Sequence, residues 1–149
     1  MQLLGSEHSL IICVDCGTLS HEAIESEHQS EIIILDHHLA NETLPKCHAI
    51  VNPNRQDELG NLHHLCAASV VFLCLVEMCR LLRNNDQKTP DLLEFLDLVA
   101  LATVADVAPL IGVNRAFVRQ GLKILAKRKR LGLAALSDQI RICLLYTSP

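Results

Sequence analysis

Four consecutive branched aliphatic residues, Ile32-Ile33-Ile34-Leu35, run directly into Asp36-His37-His38. An apolar run this short, with no polar alternation, predicts a strand buried on both faces. A run of the same kind, Leu10-Ile11-Ile12-Cys13-Val14, precedes it and ends at Asp15. Between the two, residues 20–26 have the length of a short helix, with Ser20 as its cap. Strand, helix and strand, with an acid closing each strand, outline a βαβ unit, so the chain is expected to be an α/β protein built on a parallel sheet. Open α/β sheets place their chemistry at the carboxyl ends of the strands, where Asp15 and the Asp36-His37-His38 cluster would emerge.

Downstream the pattern becomes helical. A third short strand, Ala49-Ile50-Val51, leads into the loop Asn52-Pro53-Asn54. Residues 62–83 predict a helix apolar enough to be covered on more than one side, and residues 84–88 a polar linker. Thr89-Pro90 supplies a capping hydroxyl and a proline for the first turn of a helix that runs through Leu92, Phe95, Leu96, Val99 and Leu101 to about Ala105. Asp106 then falls at the helix C-terminus, where the macrodipole disfavours an anion and a nearby cation would be welcome. The last helix, from Asn114, carries Arg115, Arg119, Lys123 and Lys127 at a spacing of four, with Val118, Leu122 and Leu125 facing inward. This is the chain's clear basic stripe, readable as a solvated helix face or as a track for phosphates.

Composition narrows the partners. With aromatics at 3%, few rings are available to stack bases, so any nucleic-acid contact must rest on charge and metal. A net charge of −4 argues against a protein that coats DNA but permits a local basic groove. Seven cysteines, an odd number scattered through apolar stretches, read as reduced buried thiols of a cytoplasmic protein; Cys13 and Cys16 form a C-x-x-C without a second pair and are read as core. The apolar run at 65–76 is shorter than the ~20 residues of a membrane span, and no secretory signal opens the sequence, so no membrane partner is expected. His63-His64 reads as a solvated pair ahead of the helix.

Asp15, Asp36, His37, His38 and Asp106 form a set of carboxylates and imidazoles at element ends. Oxygen and imidazole donors without thiolate suit Mn²⁺ or Mg²⁺. Two such ions ~3.5–4 Å apart would activate a water and stabilise the leaving oxygen of a phosphoester, so phosphoester hydrolysis is the leading chemistry.

The segments Val14-Asp15-Cys16-Gly17, Asp36-His37-His38, Ala49-Ile50-Val51-Asn52-Pro53-Asn54 and Thr103-Val104-Ala105-Asp106-Val107-Ala108-Pro109-Leu110 resemble successive motifs of the DHH phosphoesterases. The last two, with Leu96-Asp97-Leu98-Val99-Ala100-Leu101 before them, look like those of its RecJ-type exonucleases. The resemblance implies that Asp15 bridges two metal ions and that His37 and Asp106 bind the second. It also implies that Asp36 orients the neighbouring imidazole and that His38 faces the scissile phosphate. The implied reaction is 5′-to-3′ removal of mononucleotides from single-stranded DNA in recombination and repair, by a monomeric parent, with Arg115, Arg119 and Lys123 against the strand. Small-substrate DHH enzymes (nano-RNases, nucleotide phosphatases, pyrophosphatases) and a non-catalytic binding module are the competing readings.

An Asp-x-Asp-x-Asp-Gly motif that supplies the family's other metal ligands does not occur before Leu10, and the family's downstream nucleotide-gripping and OB domains have no counterpart. Ala67 and Ser69 stand where relatives commonly have glycine. Residues 1–141 are therefore expected to form a partial DHH domain, a βαβ part followed by a mainly helical part, and residues 142–149 a non-native tail.

Overall fold

A computed structural model describes residues 8–140; the expected tail at 142–149, with Cys143, lies outside them. The chain divides into two compact units, Met1–Cys74 and Leu75–Pro149.

The first unit holds β1 (Leu10–Val14), α1 (His21–Glu25), β2 (Glu31–Leu35), β3 (Ala49–Val51) and the first turns of α2 (Ala67–Asn84). The strands form a parallel sheet in the order β1-β2-β3, with Val14 opposite Leu35 and Leu35 opposite Val51. The α/β reading therefore holds. Because successive side chains alternate between faces, Ile11, Cys13, Ile32, Ile34 and Ile50 share one face and pack with Ile24 of α1, Cys16 and Cys47. Full burial of an isoleucine such as Ile24 or Ile34 is worth ~2 kcal/mol. Gly17, at φ 115°, crosses this core where a Cβ would lie 3.2 Å from Ile34.

Burial on both faces is realised in β2, whose Ile32, Ile34 and Leu35 are buried. It is not realised in β1, where Leu10, Ile12 and Val14 are 44, 52 and 47% exposed. The physical reason is topological: among the described residues β1 pairs with β2 alone, and the face that carries these three side chains has no layer over it. A run of aliphatics announces a strand but not how many neighbours it will have.

In the second unit, the remainder of α2 is followed by a single 3-10 turn (Leu92–Phe95), α3 (Leu96–Ala105), α4 (Gly112–Leu125) and α5 (Leu131–Gln139). Helix α2 is buried at Ala67, Ser69, Val70 and Phe72 and again at Cys79, but Leu75, Val76, Met78 and Leu81 are exposed, so its expected all-round cover is confined to its first two turns. The cap is also displaced from Thr89 to Asp91, whose carboxylate accepts the Leu93 N–H at 3.0 Å; the Thr89 hydroxyl instead accepts from Arg83 Nε. Helix α4 is not the last. Residues 127–130 link α4 to α5, and in this link Arg128 takes φ 53° and pairs with both oxygens of Asp138 on α5. Lys129 meets Glu94, and Arg130 donates to the buried Asp97 at 2.6 Å while its guanidinium lies 5.1 Å from the Phe95 ring centre.

Helices α3 and α4 pack tightly at Gly121, where a Cβ would stand 2.1 Å from the Leu96 carbonyl oxygen and 2.5 Å from the Ala100 Cβ. Neither is a flexible side-chain end that could move aside. Gly121→Ala is therefore expected to cost ~2 kcal/mol or more in urea denaturation; an unchanged midpoint would show that the two helices do not cross here.

Candidate metal centre

Register sets the site. Pairing of Val14 with Leu35 brings Asp15 and Asp36 out side by side at the carboxyl edge of the sheet. The Asp15 N–H continues the ladder to Leu35 O at 3.0 Å, and the Asp36 N–H to Val51 O at 3.1 Å. Asp15 adopts φ 62°, a left-handed conformation that costs a non-glycine residue free energy and that aspartate tolerates better than most.

Asp36 is 1% exposed and its carboxylate is saturated with donors. Oδ1 accepts from His37 N at 2.8 Å, His38 N at 3.3 Å and His38 Nδ1 at 2.7 Å, and Oδ2 accepts from Thr18 N at 3.1 Å. Burial alone would raise the Asp36 pKa, but the bonds from His38, Thr18 and His37 outweigh it and hold the group at about 2. A carboxylate accepts only, so His38 carries its proton on Nδ1 and turns Nε2 outward, on a side chain 54% exposed.

His37 is fixed in the same sense by a different partner. Its Nδ1 lies 3.1 Å from Leu65 O, which can only accept, so the ring proton sits on Nδ1. Nε2 then faces Asp15 Oδ1 at 3.2 Å. There Nε2 either donates to the Asp15 carboxylate or, unprotonated, offers a lone pair beside an anionic oxygen, two donor atoms that one cation could share. The rings of His37 and His38 stand 4.6 Å apart at 59°. Asp15, His37 and His38 each offer a donor atom, all within 4.8 Å of one another, one oxygen and two imidazole nitrogens. That donor set, without sulfur, suits a divalent transition-metal ion.

The remaining expected site residues lie in the second unit. Asp106 caps the C-terminus of α3, exposed, with its N–H on Ala102 O at 2.9 Å. The next residue, Val107, is a β-branched side chain at φ 53°, a strained conformation of the kind found where function over-determines the backbone. Arg115, Arg119 and Lys123 are exposed along α4, and Lys127 is exposed just beyond it. None of the four has an ion-pair partner among the described residues, whereas Arg55, Arg80, Arg128, Lys129 and Arg130 all do.

Several features were not legible in advance. The Leu65 carbonyl acts through the backbone, which no residue type signals, and Thr18 contributes its N–H together with a hydroxyl that the sequence reading did not single out. His64, expected in solvent, is 9% exposed and buried against the edge of His63, with ring centres 5.7 Å apart. Cys13, Cys66 and Cys79 are buried free thiols, and Cys16, Cys47 and Cys74 are half-buried, as a reduced core requires. Burial pushes the Cys13, Cys47 and Cys74 thiols up, away from thiolate reactivity.

The sequence matches the DHH family, N-terminal domain, over residues 2–103. The chain belongs to the DHH family. It is 39% identical over 138 residues to the single-stranded-DNA-specific exonuclease RecJ of Dickeya dadantii, covering 87% of this chain and 24% of that protein. It is 40% identical over 138 residues to the RecJ of Escherichia coli, with the same coverage of each. It also matches a crystal structure of exonuclease RecJ bound to manganese with a TM-score of 0.73 and 33% identity, covering 91% of this chain and 34% of the other. The DHH chain thus spans about a quarter of the length of these RecJ relatives.

With its folded pKa near 2 against an ordinary value of 3.8, Asp36 adds stability that is full above about pH 4 and is lost as pH falls towards 2. The difference corresponds to about 2 kcal/mol. Asp36→Asn is expected to lose about that much at pH 7 and to flatten the acid limb of a pH–denaturation series. A variant whose acid limb matches the parent's would show that Asp36 is not bonded as described.

Proposed function

We propose that this chain is part of a metal-dependent nuclease that hydrolyses phosphodiester bonds of single-stranded DNA from the 5′ end, releasing mononucleotides in recombination and repair. The observation that carries the reading is the convergence of His37 Nε2 on Asp15 Oδ1 at 3.2 Å with His37 Nδ1 already engaged. The name of the RecJ relatives supports a single-strand substrate, and the manganese in the RecJ structure supports the ion class. The parent acts as a monomer in the cytoplasm; among the described residues no helix is long and apolar enough to cross a membrane. Residues 1–141 are read as part of the parent's DHH domain.

Asp15 and His37 would hold Mn²⁺ or Mg²⁺, and Asp106 is kept as a further ligand on the strength of its motif. In the complete enzyme such ions, two by the family's pattern, would supply charge neutralisation at the phosphate and activation of a water for attack. Asp36 holds the His38 ring and stabilises its imidazolium, so His38 Nε2 can donate to a phosphate oxygen or protonate the leaving oxygen. The exposed Arg115, Arg119 and Lys123, with Lys127, would neutralise successive phosphates of the strand.

Calorimetric titration of Mn²⁺ into the 149-residue chain is expected to show weak binding that Asp15→Ala or His37→Ala weakens about tenfold or more. Cleavage of single strands by this chain should be poor, because the Asp-x-Asp-x-Asp-Gly ligand motif is not in its sequence. Robust manganese-dependent turnover, or binding indifferent to both substitutions, would contradict the assignment. In a full-length parent, Arg119→Ala with Lys123→Ala should lower the salt dependence of single-strand binding; faster turnover of dinucleotides or pyrophosphate than of long strands would favour a small-substrate enzyme.

A further inference from the structure

Within the second unit, the 3-10 turn, the later part of α4 and the link to α5 line a cleft of about 610 Å³. That lies in the range of ~300–1,000 Å³ usual for small-molecule sites. The link side is fixed. Arg130 donates to the buried Asp97 at 2.6 Å and to Glu94 O at 3.1 Å, and Lys129 Nζ meets Glu94 Oε1 at 2.9 Å. The third acid of the cleft, Asp91, caps the Leu93 N–H at 3.0 Å. The α4 side carries Gln120, Lys123, Ile124 and Lys127, whose spacing of three and four puts them on one helix face. Lys123 and Lys127 are exposed and have no ion-pair partner among the described residues. Four cations thus face three carboxylates, and the two lysines are the ones left unmatched. Arg115 and Arg119 are not on these walls. A spacing of four advances ~40° around the helix at each step, so the basic stripe turns by ~120° from Arg115 to Lys127 and divides into two surfaces.

We infer that this cleft binds a nucleoside phosphate, with the phosphate between Lys123 and Lys127 and the base against Leu93 and Ile124. Two ammonium groups one helical turn apart suit an anion with several oxygens. An anion alone, however, would leave Leu93, 62% exposed, and the half-buried Ile124 facing water. A purely apolar ligand would leave both ammonium groups unmatched. A nucleoside phosphate meets both demands, and the Gln120 amide offers one donor group and one acceptor to a base edge. Because Glu94 and Asp97 are already held by Lys129 and Arg130, the link side need not rearrange on binding. The same chemistry is presented by a free mononucleotide and by one unit of a DNA strand; only the strand source rests on the substrate proposed above. The cleft lies wholly in the second unit and uses none of the metal-site residues of the first.

The test is ¹H–¹⁵N correlation spectroscopy of the 149-residue chain in metal-free buffer, titrated separately with deoxyadenosine 5′-monophosphate, deoxyadenosine, inorganic phosphate and a short oligodeoxyadenylate. The monophosphate is expected to shift the backbone amides of residues 91–97 and 120–130. Deoxyadenosine and phosphate should each bind about tenfold more weakly or worse, and Lys123→Ala with Lys127→Ala should weaken the monophosphate by about tenfold or more. Tighter binding of the oligonucleotide at the same amides identifies a strand as the source; tighter binding of the monophosphate identifies a free nucleotide. The inference is overturned if the monophosphate leaves these amides unmoved at millimolar concentration, if either fragment binds as tightly as the whole, or if the double variant binds like the parent. Since no metal is present, failure here leaves the metal-dependent hydrolysis standing, and failure of the chain to bind Mn²⁺ leaves the cleft standing.

Discussion

The buried Asp36 carboxylate and the donors that converge on it are the interaction on which the site depends. Three bonds come from the two residues that follow it and one from Thr18, on the loop that leaves the neighbouring strand. An unpaired buried carboxylate would be untenable, and each donor it recruits removes a degree of freedom from the turn after β2. The outcome is that His37 and His38 leave the sheet in a fixed direction. Asp36 touches no expected ion; its contribution is to make the ring directions of its neighbours reproducible.

A second constraint acts on the other wall. Asp15 is carried to the site by the parallel register, and its left-handed backbone is held by a hydrogen bond to Leu35 O. Strain at Asp15 and donor saturation at Asp36 therefore serve the same end. Sheet pairing fixes the backbones, a carbonyl and a carboxylate orient the two imidazoles, and Nε2 of His37 is left facing Asp15 Oδ1. Hydrogen bonds of this kind behind a metal ligand set both its orientation and its basicity.

Much of this was legible in the sequence because the signals were local. Aliphatic runs closed by Asp15 and Asp36 announced parallel strands and the edge where the acids emerge; the bounds of β1 and β3 follow the apolar runs residue for residue, and β2 adds only Glu31. What escaped was non-local. The exposed face of β1 depends on how many strands flank it, and the identity of α5 depends on Arg128 and Arg130 finding Asp138 and Asp97, which residue type alone cannot foretell. At the site, the imidazoles and acids could be named, but the groups that orient them could not. Leu65 acts through a main-chain atom and Thr18 in part through one, and the asparagine loop looked like turn composition until its donors were traced to the carbonyls of His37 and His38.

The account stands on His37 and Asp15 sharing one cation. Crystals of the chain grown or soaked with Mn²⁺ and measured at the manganese absorption edge test this directly. The expected anomalous peak lies within bonding distance of both Asp15 Oδ1 and His37 Nε2, with His37 Nδ1 still on the Leu65 carbonyl. A peak bonded to neither, or His37 turned so that Nε2 faces the Leu65 carbonyl, would contradict it.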